Sequence, residues 1–207
     1  NKLNRNDIAL NYQKRFDDAT KKLDFRFNIN SVDNQFDLTN RSVGNSVLDN
    51  GFDQLFYQFR TDYSQEFSFL EKTKFSTGVL ADQLEFEAQN EGSTNLDYQR
   101  TTFAAYTEFQ STYKKFDFVV GGRLESYSID GTTDTDNLIP FKQTRFFPNA
   151  SIQYNIIPQV FFNANYNKKI SLPNTASLNP NNTNYQNPNV TFFGDPNLEP
   201  TIFDNYE

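Results

Sequence analysis

The stretch TTFAAYTEFQSTYKKFDFVVGGRLESY, residues 101–127, holds two runs of alternating apolar and polar residues on either side of Lys114 and Lys115. Phe103, Ala105, Thr107, Phe109 and Tyr113 recur on odd positions, and Phe116, Phe118, Val120, Gly122 and Leu124 on even positions after the lysines. A period of two puts each set on one face of an extended strand and excludes helix. With a turn centred on Lys114–Lys115, Phe109 falls opposite Val120 and Ala105 opposite Leu124, so the two apolar rows share a face. The opposite face carries Thr102, Tyr106, Glu108, Gln110 and Thr112 beside Asp117, Gly121, Arg123 and Glu125. That register sets Glu108 diagonal to Arg123, where a salt bridge within a polar interior is expected.

The same alternation extends in both directions, through Ile8, Leu10 and Tyr12, then Leu23, Phe25, Phe27 and Ile29. It predicts strands over 4–16, 22–32, 52–66, 73–88, 96–113, 116–129, 144–157 and 160–169, with a ninth beginning near Thr201. The connections between them alternate in length. Those at Asp17–Lys22, Ser68–Lys72, Lys114–Lys115 and Pro158–Gln159 are tight, whereas Asp33–Gly51, Gln89–Asn95, Asp130–Gln143 and Lys168–Pro200 are mostly long and polar. Sorting of loop length by end is a property of transmembrane barrels, with short periplasmic turns and long extracellular loops. Several of the strands exceed the roughly 9 to 11 residues that a tilted membrane strand needs. The expected fold is therefore all-β, an antiparallel up-and-down transmembrane barrel of which this chain supplies eight or nine strands. On that orientation the first strand descends and the eighth climbs to the last long loop, so residues 1–207 are expected to be an internal part of one larger barrel domain.

Composition agrees. The chain has 23 Phe and 11 Tyr, yet its mean hydropathy is −0.73. Large rings on one face and polar residues on the other would satisfy lipid outside and water inside, with aromatic girdles at the interfaces. Phe16, Phe67, Phe69, Tyr113, Phe116 and Phe161 all lie near the tight turns, where one such girdle would sit. The inward rows would include Asp24, Arg26, Asn28 and Asn30; Gln58, Arg60, Asp62 and Ser64; Ser151, Gln153 and Asn155; and Asn163, Asn165 and Asn167.

Several kinds of chemistry are excluded. A net charge of −7 leaves no basic stripe for nucleic acid. Without cysteine there is no disulfide or thiolate site, and without histidine no Ser-His or Cys-His nucleophile and no imidazole metal ligand. Glu85 with Glu87, and Asp134 with Asp136, read as solvated charge rather than an acid–base pair. The run DGTTDTD at Asp130–Asp136 lacks the spacing of a calcium loop, and Gly121–Gly122 precede no helix that could cradle phosphate. No enzyme activity, cofactor or metal is expected. The candidate contacts are Arg60, Glu108 and Arg123 on the inward face, and Tyr185, Phe192 and Phe193 as a ligand or lid cluster in the last long loop. That loop contains Pro173, Pro180, Pro188, Pro196 and Pro200, a composition that argues against helix. Its Tyr185, Val190, Phe192 and Phe193 are costly in water unless they pack.

NYNKKISLPNTASLNP (Asn165–Pro180) followed by GDPNLEPTIFDNYE (Gly194–Glu207) resembles the strand, loop and strand signature of TonB-dependent outer-membrane transporters, especially the outer-membrane β-barrel proteins of Bacteroidota. Asp195, Glu199 and Thr201 stand where that family more often has Asn, Lys and Glu. AAYTEF (Ala104–Phe109), GGRLESY (Gly121–Tyr127) and FFPNASIQYNI (Phe146–Ile156) are similar to the preceding strands in order and spacing. The resemblance implies a location in the bacterial outer membrane and import of a scarce nutrient, such as a siderophore, cobalamin, glycan or peptide. It implies a barrel of about 22 strands closed by a plug. Nothing in this chain matches the plug. The partners implied are outer-membrane lipid, a plug domain, the TonB complex and a surface lipoprotein. Two other readings stay open on the residues: a structural or secretion-associated barrel without transport, and a soluble secreted glycan-binding β-protein.

Overall fold

A computed structural model describes residues 2–40, 46–91, 94–157, 159–180 and 194–207. Nine strands form one antiparallel sheet in chain order: β1 (Lys2–Arg15), β2 (Lys21–Asn40), β3 (Ser46–Phe67), β4 (Glu71–Asn90), β5 (Leu96–Tyr113), β6 (Phe116–Thr133), β7 (Phe141–Ile157), β8 (Val160–Ser171) and β9 (Thr201–Tyr206). The central hairpin has the expected register, with Phe109 opposite Val120 and Ala105 opposite Leu124. Ile8 likewise meets Ile29, Leu10 meets Phe27 and Tyr12 meets Phe25. Lys114 turns the two-residue connection with φ 56°, a left-handed conformation that suits the twist of a tight hairpin.

The strands are longer than the alternation suggests. Asp33–Gly51, expected to be a polar loop, is largely strand: pairing runs on through Asn34–Phe52 and Asp37–Asp49 to Asn40–Ser46. β3 reaches 22 residues and β2 and β4 reach 20, about 66 Å of chain for 20 residues at about 3.3 Å each. A tilt of about 40° leaves roughly 50 Å along the barrel axis, twice the apolar band of about 25 Å. Half of this wall therefore stands outside any such band.

Side-chain polarity marks the boundary. On β5 the outward positions from Tyr113 to Phe103 are mainly apolar, then change to Thr101, Gln99 and Asp97. β4 changes from Val79 and Ala81 to Gln83, Glu85 and Glu87 at the same height, and β6 from Leu124 to Ser126, Ser128 and Asp130. Outward rings and branched chains below this line are exposed: Phe103 61%, Val120 52% and Phe146 59%. Eleven residues separate the ends of the β5 apolar run, Phe103 to Tyr113, inclusive, the length a membrane strand requires. At the short-turn end the rings of Phe67, Phe69, Phe109 and Phe118 follow one another at centroid spacings of 5.7, 6.5 and 6.0 Å. Phe116 and Tyr154 pair at 4.8 Å. Beneath them the hydroxyls of Thr73 and Ser111 bond to each other at 2.7 Å, both fully buried.

Above the boundary the apolar face turns inward. Leu84, Phe86 and Ala88 of β4, Leu96 and Tyr98 of β5, Ile129 of β6 and Leu138 form a buried cluster, flanked by Phe52, Phe56 and Phe141. Leu178, 1% exposed, completes it from the β8–β9 connection. There the composition argument is overturned: Thr175–Leu178 forms one helical turn, α1, capped by Asn174, whose side chain accepts the Ser177 N–H at 2.8 Å. Asn at an N-cap satisfies an orphan donor, and the flanking Pro173 and Pro180 lie outside the turn. Gly194 and Asp195 donate to the Asn179 and Ser177 carbonyls at 3.1 and 2.9 Å, which ties the two ends of this connection together. Asn90 reaches Asn179 at 3.0 Å, Thr175 reaches Gln54 at 3.3 Å, and the Ile139 N–H reaches Asn197 at 3.0 Å. Tyr185, Val190, Phe192 and Phe193 lie outside the described residues.

Candidate functional site: the polar inner wall

Below the apolar cluster, the inward face of β3–β8 lines a concavity of about 490 Å³. Arg60, Glu108 and Arg123, singled out from the sequence, all border it. Two of them share one design. Arg60 Nε lies 2.8 and 2.9 Å from the Asp62 carboxylate oxygens, and its guanidinium sits 5.7 Å from the Tyr106 ring centroid. Arg123 Nε lies 2.7 Å from Glu125 Oε2, and its guanidinium sits 5.5 Å from the Phe147 centroid. In each case the cation is held by a carboxylate two residues along its own strand and by an aromatic face. With Arg60 and Arg123 side chains 40% and 44% exposed, these pairs fix side-chain direction more than they add stability, about 0 to 1 kcal/mol each.

The expected Glu108–Arg123 salt bridge is replaced by other contacts. Residues i and i+2 of a strand share a face, so Glu125 reaches Arg123 without crossing the sheet. Glu108 instead accepts a hydrogen bond from Asn149 Nδ2 at 3.2 Å. Gly121 makes this possible: it lies between Glu108 on β5 and Asn149 on β7. A Cβ there would stand 2.8 Å from Asn149 Oδ1 and 3.2 Å from the Glu108 Cα. Gly78 has the same role one hairpin earlier. It separates Asp62 from Tyr106, and Tyr106 crosses it to donate its hydroxyl to Asp62. A Cβ at Gly78 would be 2.6 Å from the Tyr106 ring. Glycines in strands where a neighbouring group passes close are the signal for these two crossings. Phe147 and Asn149 carry no such signal of their own and were not singled out from the sequence.

Farther along the sheet the inner wall changes from charges to amides. Ser151 donates to Asn165 at 2.5 Å, Gln153 to Asn155 at 2.7 Å, Asn155 to Asp117 at 2.8 Å and Asn205 to Asn167 at 3.0 Å. Arg100 and Asp82 approach at 3.9 Å where the polar wall meets the apolar cluster. Among the described residues, no group of three or more carboxylates is placed to hold a metal. The wall can offer hydrogen bonds, paired charges and two aromatic faces to whatever occupies the interior.

Residues 14–207 match the outer membrane protein beta-barrel family. The chain belongs to that family. Its place is the bacterial outer membrane, and members of the family are typically non-enzymatic. The outward apolar band is thus the lipid-facing surface of an outer-membrane β-barrel protein, and the soluble reading falls. A crystal structure of the ferric citrate transporter FecA in the unliganded form has a similar fold, with a TM-score of 0.65 at 13% identity. The similarity covers 81% of this chain and 27% of that one, so this chain spans about a quarter of the transporter's length. None of the curated proteins matches.

Proposed function

We propose that this chain forms part of the wall of a TonB-dependent transporter that imports a scarce nutrient across the outer membrane. Residues 1–207 make up one section of a transmembrane barrel domain of about 22 strands, and the plug lies outside this sequence. The observation that carries the reading is the inner wall: Arg60 and Arg123, each locked by a carboxylate and a ring, border one concavity on the face away from lipid. Fixed polar groups of mixed sign suit reversible docking of a plug and passage of a polar solute. The fold similarity to part of FecA supports the same reading. Short turns would be periplasmic and the β8–β9 connection extracellular, with Tyr185, Phe192 and Phe193 contributing to substrate capture there. A surface lipoprotein would meet the same extracellular side, and energy would come from the TonB complex acting on the plug.

The test is uptake by the intact protein in its own outer membrane, with and without a functioning TonB complex. Uptake should disappear when the complex is disabled. An Arg60→Ala, Arg123→Ala double variant should assemble at wild-type abundance yet import at least several-fold more slowly. Uptake independent of the TonB complex, or no uptake of any nutrient on which growth depends, would replace this reading with that of a structural or secretion-associated barrel.

A further inference from the structure

The β8–β9 connection does not rise freely from the ends of its strands. β8 stands five strands from β3, about 24 Å around the wall at about 4.8 Å per strand, yet Thr175 bonds to Gln54 of β3 and Asn179 to Asn90 of β4. Farther along, the Asn197 side chain accepts the Ile139 N–H from the β6–β7 connection. The chain therefore crosses the concave side of the sheet. It does so just above the polar concavity: Asp82 borders that concavity, and Leu84, the next inward residue of β4, belongs to the cluster that Leu178 completes.

Its outgoing and returning arms are also joined to each other. Gly194 and Asp195 donate to the carbonyls of Asn179 and Ser177, and the arms run so close that a Cβ at Gly194 would stand 2.2 Å from the Asn179 oxygen. Segments that open and close are drawn from the least stable parts of a structure, those with few buried apolar contacts. This connection is of the other kind. Leu178 is buried in one cluster with Phe86, Leu96 and Tyr98, themselves buried, so lifting it would uncover the core of the upper half.

We propose that the β8–β9 connection is a fixed partition across the mouth of the barrel, seated on the inner face of β3–β6 at all times, so that solute reaches the wall below by passing around it. Seating is a property of the fold; passage around the partition rests on the transport reading, and the two are measured separately. For seating, Leu178→Cys and Ala176→Cys are made one at a time in the full-length protein, and intact cells are treated with a membrane-impermeant maleimide while growing on their nutrients. Ala176 is exposed on the same helical turn. The Leu178→Cys thiol should react about tenfold or more slowly than the Ala176→Cys thiol. Equal rates overturn the proposal whatever the protein carries. For passage, Gln54→Cys with Thr175→Cys is bridged by a short bismaleimide; this chain has no cysteine of its own, so wild type treated alike is the control. The bridged protein should import at the rate of the unbridged double variant. A many-fold loss of uptake on bridging, with the unbridged variant active, overturns the proposal. Absence of uptake by every form, wild type included, counts against the transport reading instead, and the labelling rates then decide the partition alone.

Discussion

The lower and upper halves of this sheet are made from the same strands but fold by opposite rules. Below the line through Ala81, Phe103 and Ser126 the apolar side chains point outward and remain exposed, because lipid is their solvent. Above it the outward positions of β4–β6 are polar, and Leu84, Phe86, Tyr98 and Ile129 are buried inward, as in a protein surrounded by water. One continuous ladder of backbone pairing crosses the line without a break in β5–β6. The backbone is indifferent to the change of solvent, and only the phase of the side-chain pattern records it. In the lower half the interior can stay polar and hollow. The upper half must fill its interior, and the chain does so with Leu138 and with Leu178 from α1.

The most damaging way to break the upper half is to empty its core. Phe86, 2% exposed and 5.6 Å from the Phe52 ring, is the test position. Phe86→Ala should cost about 3 to 5 kcal/mol of unfolding free energy. The same variant should make the β8–β9 connection more rapidly cleaved by added protease, since Leu178 then loses a wall of its pocket. An unchanged cleavage rate would mean that the connection is held by hydrogen bonds, such as those to Asn90, Gln54 and Ile139, rather than by the packing of Leu178.

The second test contrasts two outward positions on one strand. Val120 sits in the middle of the apolar run of β6, from Phe116 to Leu124, and Ser128 lies beyond it. Val120→Arg should destabilise the protein in vesicles by about 2 to 4 kcal/mol, whereas Ser128→Arg should cost about 0 to 1 kcal/mol. Urea unfolding from bilayers of fixed thickness measures both. Equal penalties would show that the boundary lies higher than the polarity pattern places it.

Much of this comparison was legible in residues 101–127, where a two-residue turn fixes register and each face has one character. The inversion was present too, as a slip of phase: apolar residues occupy 96 and 98 on β5 but 103 and 105 below, and 84, 86 and 88 on β4 but 79 and 81 below. Alternation alone does not reveal it, because period two is the same in both halves and only the side it marks is exchanged. The tops of β2 and β3 look like loop in the sequence because outside the membrane no lipid enforces an outward apolar row, while the backbone keeps its hydrogen bonds. The inner site was legible as rows of polar residues but not as pairs. Which partner Arg123 takes depends on Gly121 admitting Asn149 to Glu108, a three-strand relation that no single hairpin contains.

That relation can be sharpened at its counterpart on β4. A side chain at Gly78 must displace Tyr106 and meets the Thr61 carbonyl oxygen 2.5 Å away. Gly78→Val should cost about 1 to 3 kcal/mol, and Tyr106→Phe about 1 kcal/mol through loss of the bond to Asp62. Combined, the two should cost less than their sum, because the valine has already broken the bond that the phenylalanine removes. Full additivity would show that Tyr106 keeps Asp62 by another path.

The smallest effect belongs to the β1–β2 turn, where Asp17–Thr20 stay exposed. Asp18 accepts from the Thr20 hydroxyl at 2.5 Å and the Thr20 N–H at 3.1 Å, and pairs with Lys21 at 3.2 Å. These contacts, the Thr20 bonds foremost, hold its carboxyl below the ordinary value of 3.8. A depressed carboxyl stabilises the folded state above its unfolded value and loses that contribution as pH falls through the lower, folded one. Asp18→Asn should therefore be slightly less stable than the wild type at neutral pH, and the two should converge as the pH drops well below 3.8. If the gap persists into strong acid, the turn depends on the geometry of the Asp18 side chain rather than on its charge.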